Sequence, residues 1–189
     1  MSLRWLPNAI SSLRMLLAAP VAYLLLRGEY AATLAVFALA ALSDGLDGWL
    51  ATHFGWTSRL GKILDPVADK LLLVATFVAL ALEDLAPVWL VATIVVRDVV
   101  IVGGATAYVT FIGYLEGHPT TASKLNTLLQ IAFVLVRIAG ESRPGTVPAA
   151  VVTALGAAAF VTTVVSGIDY VMTYGRLARR ETRRVAAAR

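Results

Sequence analysis

The sequence predicts an all-α integral membrane protein with six transmembrane helices and both termini in the cytoplasm. Composition is the first reason. Of 189 residues, 59% are hydrophobic and only 15% are charged, with a mean hydropathy of +0.78. A soluble domain is usually about 45–50% apolar and about 25% charged. The second reason is the spacing of apolar runs, six of which approach the roughly 20 residues a bilayer demands. The third is the placement of positive charge.

The spans are expected in order at about Asn8–Leu26, Tyr30–Leu50, Ile63–Leu82, Pro87–Val109, Ser123–Ala139 and Val147–Tyr174. Turn chemistry separates them. Arg27-Gly28-Glu29 divides the first pair, Glu83-Asp84 precedes Pro87, and Gly140 to Gly145, with Pro144, divides the last pair. Residues 1–175 are expected to form one membrane domain and residues 176–189 a basic cytoplasmic tail. The first apolar run does not read as a cleaved leader, because Arg14 interrupts it and no small-residue cleavage site follows.

An even number of spans puts both termini on one side, together with the second-to-third and fourth-to-fifth loops. That side collects Arg4, Arg59, Lys62, Lys124 and the arginines from Arg176 to Arg189. The opposite side holds Arg27 and Arg143. Cytoplasmic loops carry the excess of Lys and Arg, so the basic side faces the cytoplasm of a bacterial-type inner membrane. The basic tail reads as a topology signal compatible with anionic lipid, and no nucleic-acid partner is expected.

The chain contains no cysteine, which excludes disulfides, thiolate metal sites and cysteine nucleophiles. Its two histidines, His53 and His118, exclude a histidine-rich zinc site. A metal would be held by oxygen ligands, which suit Mg²⁺, Mn²⁺ or Ca²⁺. The carboxylates that could do this are Asp44, Asp47, Asp65 and Asp69, on either side of one short loop. Asp44 and Asp47 are three apart, and Asp65 and Asp69 four apart, so each pair shares a helix face. Four converging carboxylates repel without a counter-charge. One or two divalent cations remove that repulsion, and a two-metal site can clamp a pyrophosphate. The simpler roles for these residues are helix capping or marking the membrane interface. Carboxylates within membrane segments are costly, however, and usually functional.

From Asp44 to Asp69 the chain resembles the CDP-alcohol phosphotransferase signature, D-x2-D-G-x2-A-R-x8-G-x3-D-x3-D. Asp44, Asp47, Gly48, Ala51, Gly61, Asp65 and Asp69 match at the right intervals. Thr52 stands where the family has arginine, and Arg59 and Lys62 are the nearest substitutes for that phosphate contact. The opening Pro7 to Arg14 is similar to the family's P-N-x-x-T/S-x-x-R start, and Leu64 to Lys70 is typical of its phospholipid-synthesising branch.

The resemblance implies a six-helix membrane fold, a homodimer, and a reaction that uses one or two Mg²⁺ or Mn²⁺ ions. The donor would be CDP-diacylglycerol. Asp44, Asp47, Asp65 and Asp69 would hold the metal, and Asp44, Gly48, Ala51, Thr52, Gly61 and Lys62 would line the CDP site. Asp69 would act as the general base. The acceptor would meet Arg97, Ser123, Lys124 and Asn126. Read without the family, Arg97-Asp98 is equally an internal ion pair of the fourth span.

The run Pro119 to Gln130, P-T-x-x-S-K-x-N-T-x-x-Q, is most similar to the cardiolipin synthase branch. Phosphatidylglycerophosphate synthases more often carry G-K-x-K-T there. Asn126 replaces a second lysine, which suits the single charge of phosphatidylglycerol better than dianionic glycerol 3-phosphate. The expected product is therefore cardiolipin, with phosphatidylglycerophosphate as the alternative. A small ion or metal transporter is the reading from another class. It predicts carboxylates around the bilayer midplane, whereas these four cluster toward one face. A non-catalytic homologue is opposed by the four intact aspartates.

Overall fold

The computed structural model describes the backbone of residues 6–54, 61–111 and 120–187, with side chains for 9–10, 12–43, 70–104, 106, 120–173 and 175–176. The described residues form six α-helices and no strand: α1 (Leu6–Leu26), α2 (Tyr30–Phe54), α3 (Gly61–Leu82), α4 (Val88–Phe111), α5 (Thr121–Ser142) and α6 (Ala149–Ala187). The helices follow the apolar runs closely. The main difference is α6, which continues without a break through the arginine-rich segment. Ala, Arg, Leu and Glu dominate there and are strong helix formers.

Two connectors close with the same hydrogen-bond pattern. At the end of α1, Glu29 N–H donates to Leu24 O at 2.9 Å and Gly28 N–H to Leu25 O at 2.9 Å. Gly28 takes φ +70°, a left-handed conformation that glycine adopts without steric cost. At the end of α3, Leu85 N–H donates to Leu80 O at 2.8 Å and Asp84 N–H to Ala81 O at 3.2 Å. Here the left-handed position, φ 55°, is held by Asp84 instead of a glycine. At the other end of the bundle, Thr120 caps α5 by accepting from Ser123 N–H at 3.2 Å.

The helices close a ring. α1 packs on both α2 and α3; α3 continues to α4, α4 to α6, α6 to α5, and α5 returns to α2. Phe77 of α3 and Phe133 of α5 stack across the centre with ring centroids 5.9 Å apart. Gly156 lets α6 approach closely, since a Cβ there would stand 3.2 Å from the Phe133 ring. Gly104 does the same beside Tyr170, whereas Gly103 faces open space. Arg137 donates from Nε to Leu85 O at 2.8 Å and pairs with Glu141 at 2.9 Å, so it braces the end of α3.

The distribution of polarity is inverted relative to a soluble protein. Leu16, Leu39, Leu82, Val99 and Leu128 lie on the outside, whereas Arg14, Arg97, Asp98, Asn126, Gln130, Thr163 and Ser166 are buried. A bundle solvated by lipid has this character, with polar side chains as interhelical bonds and aliphatic ones facing out. Among the described residues, α5 and the Ala149–Thr173 part of α6 are long and apolar enough to cross a membrane.

Candidate active site

The backbone places the four signature aspartates on two helices that flank α1. Asp44 and Asp47 lie in the second half of α2, and Asp65 and Asp69 in the first half of α3. All four positions are helical, so the spacings of three and four keep each pair on one helix face. The side chains of Asp44, Asp47, Gly48, Ala51, Thr52, Gly61, Lys62, Asp65 and Asp69 lie outside the described residues. Among the described residues no cluster of three or more His, Asp or Glu could hold a metal.

The described part of the site begins one residue after Asp69. Lys70 reaches from α3 to α4, where Nζ donates to Asp98 Oδ1 at 2.8 Å. The same oxygen accepts from Arg97 Nη1 at 2.7 Å. Arg97 then crosses to two further helices: Nη2 donates to Ser123 Oγ of α5 at 2.7 Å and to Ser166 Oγ of α6. One residue pair of α4 thus ties together α3, α5 and α6. Arg97 and Asp98 are 5% and 6% exposed, so these bonds are made almost entirely out of solvent. Burying charges is tolerable only when they are paired and hydrogen-bonded. Two cations share one carboxylate here, which leaves one net positive charge in the centre. Gly167 of α6 makes room for this arginine, because a Cβ there would lie 3.4 Å from Arg97 Cγ.

A second polar group continues the seam between α5 and α6. Asn126 Oδ1 accepts from Thr163 Oγ1 at 2.8 Å and from Thr162 Oγ1 at 3.0 Å, and Gln130 Nε2 donates to Thr163 Oγ1 at 3.3 Å. Ser123, Asn126 and Gln130 therefore form one stripe on α5, facing Thr163 and Ser166 on α6. Asn126 is fully buried in that stripe.

Of the four residues expected at the acceptor, the fold joins Arg97 and Ser123 directly. Lys124 is exposed beside them and lines a shallow concavity of about 320 Å³ with Ser123, Thr127, Leu128 and Ile131. Asn126 is turned into the helix seam instead, one turn beyond Ser123. Sequence reasoning did not single out Lys70, Asp98 or Ser166 as one network. The polar residues of α6 at Thr162, Thr163 and Ser166, spaced by three and four in an apolar run, were the available signal. Arg14, which interrupts the first apolar run, is likewise 1% exposed inside the bundle.

The chain also matches known proteins by sequence. The family model described as CDP-alcohol phosphatidyltransferase matches residues 4–165. The chain is 36% identical over 151 residues to a cardiolipin synthase (CMP-forming) of Homo sapiens, covering 71% of this chain and 50% of that protein. It is 32% identical over 145 residues to a probable cardiolipin synthase (CMP-forming) of Drosophila melanogaster, covering 68% and 45%. A probable phosphatidylglycerophosphate synthase of Mycobacterium tuberculosis is 33% identical over 140 residues, covering 72% and 63%. The chain spans about half the length of the animal proteins it matches.

Proposed function

This chain belongs to the CDP-alcohol phosphatidyltransferase family, and from that premise we propose that it transfers a phosphatidyl group from CDP-diacylglycerol to phosphatidylglycerol, giving cardiolipin and CMP. The observation that carries the choice of acceptor is the buried centre at Arg97. Lys70 and Arg97 share Asp98, so a single positive charge is left beside Ser123. That charge suits a phosphodiester, which carries one negative charge. Phosphatidylglycerophosphate synthesis is the second reading, favoured by the exposed Lys124 next to Ser123 and by the mycobacterial relative.

The donor set on α2 and α3 consists of carboxylates alone, which fits a hard divalent cation such as Mg²⁺ or Mn²⁺. In this proposal Asp44, Asp47, Asp65 and Asp69 hold the metal, which when bound neutralises the charge that builds up on the pyrophosphate. Gly48, Ala51, Thr52, Gly61 and Lys62 line the CDP side. Asp69 takes the proton of the acceptor hydroxyl as its oxygen attacks the lipid-side phosphorus. The bond from that phosphorus to the oxygen bridging to CMP breaks, and CMP leaves with the bridging oxygen. Arg97 and Ser123 hold the acceptor phosphate by charge-assisted hydrogen bonds, so that the hydroxyl is oriented before it reacts.

Six spans, cytoplasmic termini and a cytoplasmic site in a bacterial-type inner membrane are part of the same proposal, as is a homodimer. The test is CMP release from CDP-diacylglycerol. Release that depends on added phosphatidylglycerol is expected. Release that depends on glycerol 3-phosphate alone moves the assignment to the second reading.

A further inference from the structure

A groove of about 560 Å³ runs between α4 and α6 on the outside of the bundle. Its walls are mostly aliphatic: Val96 and Val100 on one side, Val164, Ile168, Val171 and Met172 on the other, all exposed on the outside of the bundle. Its lining also includes Arg97 and the buried Thr163. Arg97 Nε is buried and has no hydrogen-bond acceptor among the described residues. The groove exists partly because Gly167, which lines it, brings no side chain over the Arg97 stem.

We propose that this groove holds one acyl chain of the phospholipid acceptor, with the acceptor phosphate drawn to Arg97. The inference rests on the reading of phosphatidylglycerol as acceptor. Two features select an anionic lipid as the occupant. The first is charge complementarity, because among the described residues Arg97 is the one charged side chain lining a mostly aliphatic concavity. The second is continuity, because the guanidinium that lines the groove is the one bonded to Ser123 in the acceptor centre. Among the described residues, neither α2 nor α3, which carry the four aspartates, lines this groove, which separates it from the proposed donor side. In a bilayer, lipid tails are as apolar as the groove walls, so the groove adds little hydrophobic affinity. Its effect is to orient the chain and thereby the hydroxyl.

The test uses the full chain in lipid nanodiscs and phosphatidylglycerol bearing a diazirine in one acyl chain. After irradiation, adducts are mapped by mass spectrometry. They are expected on α4 and α6 along the groove, and to be competed by plain phosphatidylglycerol but not by CDP-diacylglycerol. Val164→Trp and Ile168→Trp, which fill the groove from lipid-facing positions, should cut this labelling about tenfold. They should raise KM for phosphatidylglycerol by a similar factor, leaving KM for CDP-diacylglycerol within about twofold. Ile168→Ala, which leaves the groove open, should label normally and shows that the position tolerates change. Adducts spread evenly around the bundle, competition by CDP-diacylglycerol, or labelling indifferent to both tryptophans would each overturn the proposal. So would native mass spectrometry in which the tryptophans convert a dimer to a monomer, since the groove would then belong to a second copy. If the unsubstituted protein makes no cardiolipin, the functional reading fails by itself, and the adduct map still decides what occupies the groove.

Discussion

Lys70 Nζ, one residue beyond Asp69, donates to Asp98 Oδ1 at 2.8 Å and so fixes the middle of α3 to the middle of α4. The contact joins the two halves of the proposed site. On one side is the aspartate signature. On the other is Arg97, bonded to the same carboxylate oxygen at 2.7 Å. Lys70 side-chain exposure is 27% and that of Asp98 is 7%, so the pair is only partly screened.

Removing the shared carboxylate should therefore be costly. Asp98→Ala leaves two cations facing each other in a buried setting, where loss of one partner costs about 3 kcal/mol or more. Denaturant unfolding in detergent should show that loss. Unchanged stability would mean that the network contributes nothing to holding α3 on α4.

Asp69→Asn keeps the size of the side chain and removes its basicity. Turnover should fall by roughly 10²–10⁴, the range of a lost general base, while the protein still purifies as a folded membrane protein. Retained turnover would remove Asp69 from that role.

Chelation tests the carboxylate set as a whole. Excess EDTA should abolish CMP release, and Mg²⁺ or Mn²⁺ should restore it. Full activity in EDTA would leave the four aspartates without the counter-charge the proposal gives them.

Asn126 yields a different expectation from the one its sequence position suggests. Its carboxamide is buried between α5 and α6 and accepts from two threonines. Asn126→Ala should lower stability by roughly 1–2 kcal/mol. Asn126→Lys would bury an unpaired charge in the same seam, so it should destabilise the protein without moving acceptor preference toward glycerol 3-phosphate. A stable Asn126→Lys variant that now prefers glycerol 3-phosphate would contradict the packing.

Asp84 offers a test of the fold away from the site. It holds φ 55°, which costs a non-glycine residue roughly 1 kcal/mol. Asp84→Gly should raise the unfolding midpoint, and Asp84→Val should lower it.

The sequence made the local features readable. The helices follow the apolar runs because an apolar segment kept from water satisfies its backbone hydrogen bonds internally. The aspartate spacing and the Arg97-Asp98 pair were visible because each lies within a few residues of chain. Contacts between distant segments were not. Lys70 and Asp98 are 28 residues apart, and Arg97 and Ser166 are 69 apart, so only packing reveals that one carboxylate serves two cations. In the sequence, Asn126 stands out for the charge it lacks. Its position three residues after Ser123 puts it on the same stripe of α5, which the fold turns toward α6. The continuation of α6 beyond the apolar run reflects the helix propensity of an arginine- and alanine-rich segment that hydropathy alone marks only as polar.

The acceptor decides between the two products. The purified protein should be given CDP-diacylglycerol and Mg²⁺ with phosphatidylglycerol and glycerol 3-phosphate together, and the lipids identified by mass spectrometry. Cardiolipin formed in step with CMP is the predicted result. Phosphatidylglycerophosphate without cardiolipin would contradict it, and would show that the single net charge at Arg97 does not select the phosphodiester.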